Sequence, residues 1–466
     1  MAGGSSWAGD KVGIAVVDSG IEPSKDLSPA RIAAFYDFTR GGRAVPPFDD
    51  YGHGTHVAGL IAGSGDLSEG HYQGASWKAT LIGYKVLDAQ GQGYTSDLIA
   101  AIEHAIANRA RLKIRIMNLS MGHPVLEPAA TDPLVRAVEK AVAAGIIVVT
   151  SAGNCGTDAA GAEGYAGITS PGNSPAAITV GAINMNETVT RLDDQVTSYS
   201  SRGPTWYDGY AKPDLVAPGH RLSAAAALKS SLYVDYPTLR VTYNTKDGAR
   251  YLRLSGTSMS AAVTSGVIGA MLEAHRSVSS IRLTPNAVKA ILQFTAFWMA
   301  GPNPLEQGAG SLNAVGAIRL AEKIDTGRPV GTGWVVESIE PSDIIDGVVL
   351  PWAQHVFWAD RATPDGSVYV HESAWDSVVW GDRLIWGNRI SWNDPQQSVV
   401  WGDRLIWGNR LIWGNAMLGY DNGSQTLYGE QIDWSIVNGE RLIWGNLTGV
   451  TSSSAEGDPA ALSLQP

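Results

Sequence analysis

From the N-terminus to Leu320 the chain alternates short apolar runs with stretches whose apolar positions recur at helical spacing. Lys11–Asp18 is a near-continuous apolar run that ends in an acid, which predicts a strand buried on both faces. Thr80–Val86, Ile114–Leu119, Ile146–Ser151 and Ala177–Ala182 read the same way. His53–Gly63 and Ser258–Ala274 read as helices rich in small residues, able to approach a neighbour closely, and Asp132–Ala144 as a further helix. Ser96–Arg109 is amphipathic, with Leu98, Ile99, Ile102, Ala105 and Ile106 on one face. Strands alternating with helices predict an α/β fold, a mostly parallel central sheet with helices on both faces. Such sheets bind ligands at the carboxyl ends of their strands, and Asp18, Ser120 and Asn154 all fall there. Residues Leu222–Leu254, with strand-like stretches such as Arg240–Tyr243, read as a surface insertion without an assigned function.

Beyond Leu320 the pattern changes. Of 16 tryptophans, 12 lie from Trp334 onward. A six-residue unit recurs at Trp380, Trp386, Trp401, Trp407 and Trp413, and its Arg-Leu-Ile-Trp-Gly-Asn part returns at 441–446. Trp-Gly-Asp/Asn is turn chemistry and Arg-Leu-Ile is strand-like, so a repeat-rich β region is expected. A six-residue unit cannot bury its own face and must stack on its neighbours or dock elsewhere. The expected division is a first unit over 1–325, a tryptophan-rich region over 326–450, and a flexible tail over 451–466.

At 466 residues, 44% hydrophobic and 17% charged, the chain has the composition of an ordinary globular protein with room for a large core. A net charge of −11 argues against nucleic acid or an anionic membrane as partner. No apolar stretch reaches the ~20 residues of a membrane span. The lone Cys155 can make no internal disulfide; a small residue tolerated in a turn is the plainer reading of it than a thiol role. The Asp49-Asp50 pair is expected to be a solvated loop leading to His53, ahead of a metal site.

Four short segments carry chemistry. Val16–Gly20 offers Asp18, Gly52–Gly59 offers His53, and Gly256–Ser260 offers Ser258, with Ser151–Asn154 between the second and third. A serine hydroxyl is a poor nucleophile at neutral pH. A histidine within reach takes its proton, and a carboxylate fixes the histidine tautomer and stabilises the imidazolium. Asn154 follows a predicted strand, where its amide can donate to a developing oxyanion; a bland alternative is that it holds a turn. His56 competes with His53 for the base, and Gly52 and Gly54 give His53 more room. Ser258 can also serve as a helix N-cap, which is compatible with catalysis.

These segments, with NLSMG, SSRGPT and KPDLVAPG, make roughly Gly13–Leu320 resemble a subtilisin-like serine protease of the subtilase family, in the order Asp…His…Ser. The tryptophan-glycine repeats resemble those at the C-termini of some bacterial relatives. The resemblance implies a three-layer fold and a serine endopeptidase acting through an acyl-enzyme. Asp18 would be the orienting acid, His53 the base, Ser258 the nucleophile and Asn154 the oxyanion donor. Ser120, Met121 and Gly122 would bind the substrate backbone, with Ser151, Ala152 and Gly153 also at the substrate. His56 would be the motif histidine that is not the base. Ala262 departs from the proline usual after the nucleophile, and the histidine usual after that is missing. No cofactor is required for this chemistry, though the family often carries structural calcium, and no local ligand spacing marks a site. Polypeptides are the implied substrates. The family also implies secretion, whereas Met1–Ser6 has no signal-peptide character, so the chain reads as a fragment of a longer precursor. The rival expectation is a catalytically silent protein that binds a surface or polysaccharide through its tryptophan-rich tail.

Overall fold

The computed structural model describes residues 7–157, 162–243, 248–326, 335 and 337–356, with short strand fragments at 371–372, 420–421, 424–427 and 441–442. The hexapeptide repeats, apart from those fragments, and the tail over 451–466 lie outside the described residues. The strands are β1 (Gly13–Asp18), β2 (Ile32–Asp37), β3 (Arg43–Ala44), β4 (Thr80–Lys85), β5 (Gly93–Tyr94), β6 (Ile114–Leu119), β7 (Ile147–Ser151), β8 (Ile178–Asn184), β9 (Gln195–Val196), β10 (Leu215–Pro218), β11 (Leu222–Ala225), β12 (Arg240–Val241), β13 (Tyr251–Leu254), β14 (Ser342–Ile345) and β15 (Val348–Pro351). The helices are α1 (His53–Ala62), α2 (Thr95–Asn108), α3 (Pro133–Ala143), α4 (Ser231–Asp235), α5 (Thr257–Val278), α6 (Pro285–Thr295), α7 (Pro304–Gln307) and α8 (Ala314–Ala321).

Nine strands form the central sheet, in the order β10-β8-β7-β6-β1-β4-β2-β3 with β9 on β8. All neighbours are parallel except β3 on β2 and β9 on β8. The apolar run of β1 shows why both faces are covered. Ile14 and Val16 enter one core with α1, α5, α6 and α8, while Ala15 and Val17 enter the other with α2 and α3. The α/β architecture expected from the sequence is therefore the one observed. The predicted face of α2 is buried at Leu98, Ile102 and Ala105; Ala101 joins them, and Ile99 and Ile106 pack at its edge.

Helix α5 runs against the sheet and α1, and its small residues are what let it sit so close. A Cβ at Gly266 would lie 2.8 Å from the Ala75 side chain, and one at Gly269 would lie 2.4 Å from Ser76 Oγ. Ala262, where the resemblance noted above would lead one to expect proline, is fully buried inside the unbroken helix.

Residues 222–254 are not the surface insertion expected. β11, β13 and β12 form a three-stranded antiparallel sheet against α1; Leu232, Leu239, Leu252 and Leu254 are buried in the main core, and Tyr251 is buried with its hydroxyl on Asp26 Oδ2 at 2.7 Å. His56 of α1 fastens this sheet. Its Nε2 lies 3.0 Å from Leu222 O and 3.1 Å from Leu252 O, so that nitrogen carries the proton and donates.

Packing on the main core continues past 325. The β14–β15 hairpin lies on α8, and Trp352 is 3% exposed, edge-on to Phe294, with its indole N–H on Asp343 Oδ2 at 2.7 Å. Trp352→Ala should cost about 3–5 kcal/mol, the usual range for emptying a buried aromatic site. Denaturant unfolding checks this, and a loss under ~1 kcal/mol would mean the site collapses around the gap. Farther along, Arg441–Leu442 pairs antiparallel with β5. Among the described residues no helix is long and apolar enough to cross a membrane.

Candidate active site

The sheet order makes β7, β6 and β1 consecutive, so their carboxyl ends open side by side. β1 ends in Asp18, β6 runs into Ser120 and β7 runs into Asn154, while α1 and α5 begin at the same rim with His53 and Ser258. The structure thus gathers the four chemical candidates from segments far apart in the chain.

Asp18 is fully buried, and its carboxylate accepts from His53 Nδ1 at 2.8 and 3.0 Å and from the Ser19 N–H at 2.7 Å. A carboxylate at Nδ1 places the ring proton there and leaves Nε2 as the basic nitrogen. Ser258 is the second residue of α5. Its hydroxyl donates to Ser120 O at 3.1 Å, and Ser120 Oγ returns a bond to Ser258 O at 3.0 Å. Behind them Asn118 donates to Ser120 Oγ at 2.8 Å and accepts from Ser265 Oγ at 3.0 Å. This buried polar chain sets the distance between the end of β6 and the start of α5.

The orientation of Asn154 follows from one neighbour. Its Oδ1 accepts from the Thr257 N–H at 3.0 Å and the Thr257 hydroxyl at 3.1 Å. A backbone N–H can only donate, so the amide cannot be flipped, and Nδ2 faces away from Thr257 with its protons available. Thr257 is a residue the sequence reading missed, and only the three-dimensional contact reveals it.

The expected substrate-side residues divide. Ser120 and Met121 are fully buried, and Gly122 is half-buried; a Cβ on Gly122 would lie 2.5 Å from Ser170 O. Ser151 and Ala152 are buried at the end of β7. Ala152 N donates to Val180 O and its O accepts from Thr169 N, while Gly153 N donates to Thr257 Oγ1 and its O accepts from Ser201 N. With their backbone groups committed internally, Ala152 and Gly153 can form a wall but not a pairing strand. Gly153 has φ +104°, and a Cβ there would meet Ser201 Oγ at 2.8 Å, so the turn requires glycine. Cys155 is half-buried beyond it, its N–H on Ser201 Oγ.

His56 is buried and holds the neighbouring sheet; burial pushes its pKa down to about 3, against the pull of the two carbonyls. The imidazole is neutral, and its Nε2 is committed as a donor, which makes it unsuited to the part of base. The unfolded chain binds a proton on His56 below its ordinary value of 6.5, while the folded chain resists it to about 3. The stability tied to neutral His56 is therefore complete above 6.5 and is lost progressively as pH falls towards 3. Melting scans of wild type and His56→Gln, both in a Ser258→Ala background, should converge or cross as the pH is lowered. A constant difference at every pH would contradict this.

The Asp49-Asp50 pair is not a solvated loop. Asp49 is 4% exposed and receives hydrogen bonds from Gly52, Thr55 and Ser19. Burial pushes its carboxyl up from the usual range, opposed by bonds from Thr55 and Gly52 and by the charge of Lys85. Asp50 is half-buried and pairs with buried Lys85 at 2.5 Å. The prediction failed because a pair of adjacent carboxylates reads as solvated unless the donors that bury one of them are known. Among the described residues no group of three or more His, Cys, Asp or Glu side chains is gathered to hold a metal.

Known proteins resemble the chain over the same region. Residues 9–317 match the model of the Subtilase family. Serine protease AprX of Bacillus subtilis (strain 168) is 39% identical over 320 residues, covering 68% of this chain and 68% of that protein. An intracellular serine protease of Paenibacillus polymyxa is 30% identical over 328 residues, covering 69% of this chain and 85% of that one. Among solved structures, Sphericase aligns with a TM-score of 0.52 at 26% identity, over 66% of this chain and 92% of its own.

Proposed function

We propose, from the premise that the chain belongs to the subtilase family, that its serine endopeptidase activity on polypeptides runs through Ser258, His53, Asp18 and Asn154. Ser258 Oγ attacks the scissile carbonyl carbon as His53 Nε2 takes the hydroxyl proton, which otherwise rests on Ser120 O. Catalytic hydrogen bonds often form only once substrate is bound. The C–N bond breaks as His53 returns the proton to the leaving amine, and water hydrolyses the acyl-enzyme by the reverse sequence. Asp18 holds the imidazolium. Asn154 Nδ2 and the Ser258 N–H, at the positive end of α5, hold the oxyanion. An extended substrate lies along Ser120–Gly122, with Ser151–Gly153 as the opposite wall.

The observation that carries this reading is the buried Asp18–His53 contact of 2.8 Å at the rim where α5 presents Ser258. The test is labelling of the folded chain by a fluorophosphonate. Modification at Ser258 is expected, with loss of peptidase activity in proportion. Absence of labelling in folded protein would favour the silent binding scaffold.

On its resemblance to the subtilisins, and against the Paenibacillus polymyxa relative named as intracellular, we also place the enzyme's work outside the cell. Assay of culture medium against cell lysate checks this, and recovery of the activity from the lysate alone would overturn it.

A further inference from the structure

A buried hydrogen-bond relay joins the end of β1 to the start of α1, and the chemistry above makes no use of it. Asp49 Oδ1 accepts from Ser19 Oγ at 2.9 Å, Tyr51 N at 3.2 Å and Gly52 N at 2.8 Å. Its Oδ2 accepts from Thr55 N at 2.8 Å and Thr55 Oγ1 at 2.6 Å. Three of these donors are backbone N–H groups that can only donate, a pattern that favours the carboxylate against the upward push of burial. Ser19 Oγ in turn accepts from Gly54 N at 2.9 Å.

The start of α1 explains why these groups are needed. Its N-cap is Gly52, which has no side chain to satisfy the free N–H groups of the first turn. The second and third N–H groups, those of Gly54 and Thr55, go instead to Ser19 Oγ and Asp49 Oδ2. The cap is thus built from outside the helix, and one half of it belongs to the residue after Asp18. Ser19 also gives its N–H to the Asp18 carboxylate at 2.7 Å and receives Lys85 Nζ on its carbonyl at 2.7 Å. His53 lies between Gly52 and Gly54, both held by this relay.

We propose that Asp49, acting through Ser19, is a positioning residue of the triad, locking the backbone that carries Asp18 to the helix start that carries His53. The inference rests on the triad assignment above. A constellation of this kind tolerates little displacement, since an error near 1 Å can cost about 10²-fold in rate. The relay fixes the relative placement of Asp18 and His53 without touching substrate, so its loss should appear in the chemical step and not in binding.

The test uses the full chain with Ser19→Ala, Asp49→Asn and the double variant. Turnover and KM are measured on a short peptide anilide, the inactivation rate with a fluorophosphonate, and the folded fraction by near-UV circular dichroism. Each single variant should lose about 10–10²-fold in kcat and in inactivation rate, with KM within about twofold of wild type. The double variant should be within about threefold of the worse single one, because both break one relay. Folded single variants that keep kcat within about twofold, even with lowered melting, would make the relay purely structural and overturn the proposal. Multiplicative losses in the double variant would overturn the route through Ser19. Should Asp49→Asn fail to fold, Ser19→Ala decides alone, since it leaves Asp49 four of its donors. His53→Ala in the same assay keeps the two readings apart: if it retains wild-type turnover, the triad assignment fails, whatever the relay variants do.

Discussion

Ser258→Ala should reduce kcat by about 10⁶-fold, the order measured on a subtilisin and borrowed here. Its structural cost should be small. Ser258 Oγ makes one hydrogen bond, to Ser120 O, and losing it costs about 1 kcal/mol, while α5 keeps its small-residue seat on α1. Adding His53→Ala should cost little more, because without the nucleophile a base has no proton to take. The measurement is peptidase turnover of the two single variants and the double one, each shown to be folded by a cooperative melt. If the losses multiplied in the double variant, Ser258 and His53 would not share one mechanism. If Ser258→Ala alone kept substantial turnover, another nucleophile would have to be sought.

The central fold and the four chemical candidates were legible because each is written locally. The run ending at Asp18 is apolar on both faces, and β1 divides its side chains between the two cores. The ends of β1, β6 and β7 carry Asp18, Ser120 and Asn154, and the sheet order makes those ends neighbours. What the sequence withheld are relations between segments. Thr257 looks like one more small polar residue of its motif, and its hold on Asn154 exists only once β7 and α5 meet. Asp49 reads as solvated because its burial depends on Ser19, 30 positions away, and on Thr55. The sheet of 222–254 was missed because its buried leucines and Tyr251 are scattered through short polar stretches, and the partner face, on α1, is distant in sequence. Strand β2, Ile32–Asp37, escaped for a related reason. Its burial begins only at Phe35, so the first half carries no core signal. Helix α6 also went unread, although Thr284, which caps the Ala287 N–H, and Pro285 in the first turn are a start signal present in the sequence.

Asn154→Ala should lower kcat by about 10²–10³-fold with little change in KM. This corresponds to about 2.7–4 kcal/mol of transition-state stabilisation, again a magnitude measured on a subtilisin and borrowed. The expectation rests on how the amide is aimed. Thr257 holds Oδ1 with its N–H and its hydroxyl, so the Nδ2 protons face outward without any reorganisation when negative charge develops. A ground-state carbonyl is weakly charged and gains little from such a donor, whereas the tetrahedral oxyanion gains much, so the loss belongs to kcat. Asn154→Asp sharpens the test because it conserves shape. A carboxylate cannot donate, and Thr257 would hold one of its oxygens while the other set negative charge beside the oxyanion. It should therefore lose at least as much as alanine. The two variants need kcat and KM on one peptide anilide, with folding checked by melting. A rise in KM at constant kcat would mean that Asn154 binds substrate in the ground state, and Asn154→Asp near wild-type activity would remove it from the oxyanion site altogether.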